Sequence, residues 1–126
     1  MTIKELTVNQ IRTAMEDKPG LSEREMFGGV AFMLEGNMCC GVIEDHLVVR
    51  VGPDAYEEVL REPHTRPMDF TGRALPGFIY VDRAGFANDD SLRQWIERGI
   101  HFVQTLPPKY YPAAWQNWRP LVARSA

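Results

Sequence analysis

Between Met26 and Val51 three apolar segments follow one another with almost nothing between them. They are Met26 to Leu34, Met38 to Ile43 and His46 to Val51, parted by Glu35-Gly36-Asn37 and Glu44-Asp45. Each is too short for a core helix, the first is also broken by glycine, and turn residues separate them. Connections this short allow only antiparallel pairing, because a parallel pair needs a crossover of roughly a dozen residues. The spacing therefore predicts a meander. In its third strand Leu47, Val49 and Val51 alternate with His46, Val48 and Arg50, which gives one apolar and one mixed face. In its first strand Val30, Phe32 and Leu34 lie opposite Phe27, Ala31 and Met33, so both faces are hydrophobic and both call for cover.

Helical patterns flank this meander. Thr2-Ile3-Lys4-Glu5 fits a capping box, and Val8, Ile11 and Met15 recur at helical spacing until Lys18-Pro19-Gly20, which predicts a helix over about residues 4 to 17. After Gly52-Pro53, Asp54 is placed to cap a short helix from Ala55 to about Arg61, with Glu57 reaching back toward it. Arg66 to Thr71 and Phe78 to Val81 read as two more strands, and Pro67 puts the first of them at a sheet edge. Asn88 or Asp89 opens the clearest helix, in which Leu92, Trp95, Ile96, Gly99 and Val103 form one stripe while Arg93, Glu97 and Arg98 face water. Leu106-Pro107-Pro108 ends it. The order is α-β-β-β-α-β-β-α with an antiparallel sheet, an α+β pattern. It forms one domain over residues 1–108, followed by a tail, 109–126, whose Tyr110, Tyr111, Trp115 and Trp118 are expected to pack on the domain or on a second subunit.

Four segments in this order, Met26-Phe27-Gly28-Gly29-Val30-Ala31-Phe32, Leu47-Val48-Val49-Arg50-Val51-Gly52, Arg66-Pro67-Met68-Asp69-Phe70-Thr71-Gly72-Arg73 and Gly77-Phe78-Ile79-Tyr80-Val81, resemble the TfoX N-terminal domain family. The resemblance runs from about the first helix through Pro107. It implies a fold like that of type III secretion chaperones, pairing as a homodimer, and a link to TfoX/Sxy regulators of bacterial natural competence. It implies no catalytic residues. Longer members carry a second, C-terminal domain where this chain has its aromatic tail, so a regulatory or interaction role is implied more directly than competence itself.

Charge narrows the partners. A net charge of -3 and a pI near 5.6 leave no basic excess to draw in a phosphate backbone, so direct nucleic-acid binding is not expected. Nor is a membrane span, since no apolar run approaches the roughly 20 residues that crossing requires, and a cytoplasmic location is the expectation. Neighbouring Cys39 and Cys40, with α-carbons ~3.8 Å apart, are too close for a relaxed disulfide. On a strand they would point to opposite faces and act as two small core hydrophobes. His46, His64 and His101 lack metal-ligand spacing, no nucleophile-elbow sequence surrounds a serine, and the carboxylates fall in caps and turns. No metal, cofactor or catalytic residue is expected, and no enzyme activity. Gly28-Gly29 lacks the Gly-Lys-Ser/Thr of a phosphate loop and reads instead as a bulge or a close backbone contact.

The polar candidates are Arg50, Arg66, Asp69, Thr71 and Arg73. On a strand Asp69 and Thr71 share a face, with Arg73 just beyond, while Met68 and Phe70 point to the core. Such a face suits an anion or a partner's polar groups. The plainer reading is an Asp69–Arg73 pair that stabilises the hairpin, with Arg50 either joining it or simply solvated. The expected function is a non-enzymatic regulatory module acting through contacts with a protein partner, as a homodimer, in transcriptional or competence regulation. The second reading is a small-ligand or anion-binding domain built on Arg50, Arg66, Asp69 and Arg73.

Overall fold

The computed structural model describes residues 2–26, 28–69 and 72–109. Helix α1, Ile3–Met15, begins with the capping box in place: the Thr2 hydroxyl accepts from the Glu5 amide at 3.1 Å and the Glu5 carboxylate accepts from the Thr2 amide at 3.1 Å. Its inward face carries Val8, Ile11 and Met15, as the spacing predicts.

Among the described residues six antiparallel strands follow: β1, Leu21–Met26; β2, Gly29–Leu34; β3, Asn37–Ile43; β4, His46–Arg50; β5, Thr65–Pro67; and β6, Phe78–Val81. The sheet order is β1-β2-β3-β4-β6-β5. One strand more is present than the sequence pattern predicts. The chain reverses between Met26 and Gly29, which pair with each other, and Gly28 takes φ +75° in that reversal. The added strand, β1, shows no alternation because it is a sheet edge whose Ser22, Glu23, Arg24 and Glu25 are all exposed. Charges on an edge also discourage pairing with a second copy: any antiparallel self-pairing centred on Glu23, Arg24 or Glu25 sets like charges opposite each other.

Two other expectations are corrected. Helix α2, Tyr56–Val59, has Ala55 at its N-cap and no side-chain cap, so Asp54 and Glu57 do not hold it. The strand expected over Arg66 to Thr71 stops at Pro67, because Leu75 donates to the Met68 carbonyl and Gly72 to the Asp69 carbonyl, which turns the backbone away from β6.

The described helices lie on one side of the sheet. Helix α3, Asp89–Val103, is capped by Asn88 and buries Leu92, Trp95, Ile96, Gly99, Ile100 and Val103 against Leu47, Val49, Ile79 and Val81. Gly99 permits close approach, since a Cβ there would stand 2.7 Å from the Cys39 carbonyl oxygen. A register shift between Phe32 and Met33 makes Cys39 an extra residue opposite β2, so Cys39 and Cys40 both join this core, whereas a regular strand would separate them. The other face has its own smaller core of Ile43, Val48, Met68 and Tyr80, with no helix residue in it.

After α3 the chain returns to the β2–β3 turn, where Asn37 donates to the Pro107 carbonyl at 3.0 Å and the Lys109 amide to the Glu35 carbonyl at 2.6 Å. The aromatic tail from Tyr110 onward lies outside the described residues. Among the described residues no helix is long and apolar enough to cross a membrane.

Candidate functional site

Strand β6 lies between β4 and β5, and its register sets Arg50 opposite Phe78 and Arg66 opposite Tyr80. Phe78 and Tyr80 are two residues apart and share the face of the smaller core, away from the described helices. The result is a row of four side chains, Arg50, Phe78, Tyr80 and Arg66, running obliquely across three strands.

At one end the Arg66 guanidinium carbon lies 5.0 Å from the Tyr80 ring centroid and its Nε donates to Asp82 Oδ1 at 2.9 Å. The His46 ring sits 5.4 Å from that of Tyr80, and its Nε2 is 3.8 Å from the same Asp82 oxygen. Burial, and then the charge of Asp69, push the Tyr80 phenol above its usual pKa, so it stays a neutral hydroxyl. Asp82 thus binds one arginine and lies next to a histidine, which makes this end a closed polar knot.

At the other end the arginine meets rings and no carboxylate side chain. The Arg50 guanidinium lies 5.1 Å from the Phe78 centroid and 5.5 Å from that of Phe102, a residue of α3 whose ring lies against Gly52. Its Nη1 is 3.5 Å from the Met38 carbonyl oxygen, at the limit of a hydrogen bond. All 17 carboxylate side chains fall within the described residues. Those that meet arginines are Glu23 with Arg12, Asp82 with Arg66, and Glu62 with Arg98. No carboxylate side chain reaches Arg50, and burial lowers its pKa from the usual arginine value.

Of the residues expected to form a polar surface, Arg50 and Arg66 do share a face, with the two rings between them. Asp69 and Arg73 are exposed, at the turn after β5, and form no ion pair with each other. Arg66 pairs with Asp82 instead, because the β5–β6 register brings their strand ends together. Thr71 lies outside the described residues. Among the described residues no group of three His, Cys, Asp or Glu is placed to hold a metal. The Cys40 thiol is raised well above its usual pKa, first by its hydrogen bond with Cys39 and then by burial, and it touches the Met15 sulfur at 3.8 Å. Such a thiol is a packing group, not a nucleophile.

A protein-family model described as the TfoX N-terminal domain matches residues 14–103. The chain belongs to the TfoX N-terminal domain family. No curated protein and no solved structure matches it, so the likeness to secretion chaperones has no solved structure to rest on. The TfoX N-terminal match begins in the last turn of α1 and ends with the last residue of α3, and so includes every strand and the whole row from Arg50 to Arg66.

Within this TfoX N-terminal domain, reasoning from sequence missed the contributions of His46, Asp82 and Phe102. Alternation in Phe78 to Val81 was a readable sign that Phe78 and Tyr80 share a face. Nothing comparable marks β4 and β6 as neighbours, since α2 and β5 separate them in the chain.

Proposed function

We propose that this chain is a non-enzymatic regulatory module that acts through protein contacts, as a homodimer, in the control of transcription in a bacterial cytoplasm. Regulation of competence is the specific form that the family suggests. The observation that carries the reading is the family match over residues 14–103. The charge balance supports action through a protein partner, since a net -3 opposes direct attraction to DNA. The described carboxylates also support it, because those with close partners serve structure: Glu5 caps α1, while Glu23, Glu62 and Asp82 meet arginines.

Deletion of the gene tests this directly. A defined set of transcripts should change in abundance and recover when the gene is restored, and sedimentation of the purified chain should give twice the monomer mass. An unchanged transcript profile under competence-inducing and ordinary growth conditions would end the regulatory reading, and a monomer mass at high micromolar concentration would remove the dimer. The ligand-binding reading retains one specific observation in its favour, Arg50, which no carboxylate side chain reaches.

A further inference from the structure

The described arginines fall into three groups. Arg12, Arg66 and Arg98 meet carboxylates. Arg24, Arg61, Arg73, Arg83 and Arg93 are exposed, where water satisfies them. Arg50 alone among the described arginines is half-buried and without a carboxylate side chain. Partial desolvation without a counter-charge disfavours the cation, so an anion that met this guanidinium would offset that cost.

Its setting also prescribes the geometry. Phe78 and Phe102 both lie under the guanidinium carbon, at 5.1 and 5.5 Å, which favours the cation and restricts its side chain. Only Nη1 approaches a described acceptor, the Met38 carbonyl, and does so weakly. The edge of a guanidinium carries its donors as a planar fork, which matches two oxygens of one oxyanion. Lysine could not replace it, because a point charge neither stacks in the same way nor donates in parallel.

We propose that Arg50, flanked by Phe78 and Phe102, anchors a binding site for a small oxyanion, a carboxylate or a phosphate. The site lies at the end of β4, where the Arg50 side chain, from the sheet face opposite the helices, meets Phe102 near the end of α3. It does not depend on the regulatory reading, although an effector that binds there would give a regulator its input.

The test is thermal unfolding of the full chain in sodium succinate, in sodium phosphate, and in sodium chloride at matched ionic strength. The wild-type melting temperature should rise and saturate with one of the first two anions, while chloride does nothing comparable, and which anion works identifies the source. Arg50→Met keeps an unbranched apolar side chain between the rings and should weaken that response by about tenfold or more, the value of a charged hydrogen bond. Should Arg50→Met fail to fold, the wild-type Arg50 Nε–H resonance must still move saturably with the same anion. An identical response in wild type and Arg50→Met would overturn the proposal. So would the absence of a saturable response to either anion together with an unmoved Arg50 resonance.

Discussion

The two faces of the sheet are built by different rules. On the helix side, residues from all three described α-helices and four strands form one large apolar core in which Ile11, Phe32, Leu47 and Ile79 are fully buried. On the other side four buried residues make a small core, and beside it lies the row of arginines and aromatic rings. The first face draws its stability from area removed from water, and its polar groups were moved to caps and turns. The second mixes burial with cations over rings, so its parts carry charge and present donors. A molecule that must both fold and recognise something can divide the tasks in this way.

Substitutions on the two faces should differ in cost. The largest effect belongs to the helix side: Phe32→Ala should cost about 3–5 kcal/mol in a urea titration, since the ring is fully buried within the larger core. A loss under about 1 kcal/mol would mean that this face is not the principal core. Val48→Ala, in the smaller core, should cost about 2 kcal/mol in the same titration, because Val48 is just as buried but fewer atoms surround the space left. If it were silent, the second face would be a surface and not a core.

Smaller still is the closed end of the row. Asp82→Asn removes the partner of Arg66, yet both side chains are about two-fifths exposed (42% and 41%). Water and salt screen such a pair, so the loss should be at most about 1 kcal/mol and should shrink further in high salt. A loss of several kcal/mol would show that the knot around Tyr80 holds the sheet together. The smallest effect is on the helix side's margin, where Arg12 hydrogen-bonds Glu23 and lowers its pKa. A carboxylate with a folded pKa below its unfolded one contributes stability that is complete above the unfolded value and lost as pH falls through the folded value. Glu23→Gln should therefore flatten stability against pH slightly in the acid range and leave the neutral and alkaline range parallel to wild type. An alkaline effect would contradict the assignment.

Legibility differed between the faces for the same physical reason. The helix side speaks through periodicity: Val8, Ile11 and Met15, the stripe from Leu92 to Val103, and the alternation of Leu47, Val49 and Val51 all point inward as their spacing predicts. The capping box at Thr2 and the Asn88 cap were equally local and equally readable. Strand β1 was hidden because an exposed edge needs no apolar alternation, and the Cys39 bulge because one inserted residue leaves no compositional mark. The row escaped for another reason. Arg50 could be read as a surface residue, but its meeting with Phe78 depends on β6 lying beside β4, and its meeting with Phe102 depends on where α3 ends. These are consequences of the whole topology, which no short segment carries.

The claim that the second face carries recognition while the helix side is scaffold can be tested in one comparison. The gene is replaced in its host by Arg50→Met or, as a control on the exposed face of α3, by Glu97→Gln, and transcripts are profiled beside a deletion strain with protein abundance checked. Arg50→Met should reproduce the deletion profile, and Glu97→Gln should match wild type. A deletion profile that differs from wild type while Arg50→Met does not would contradict the claim.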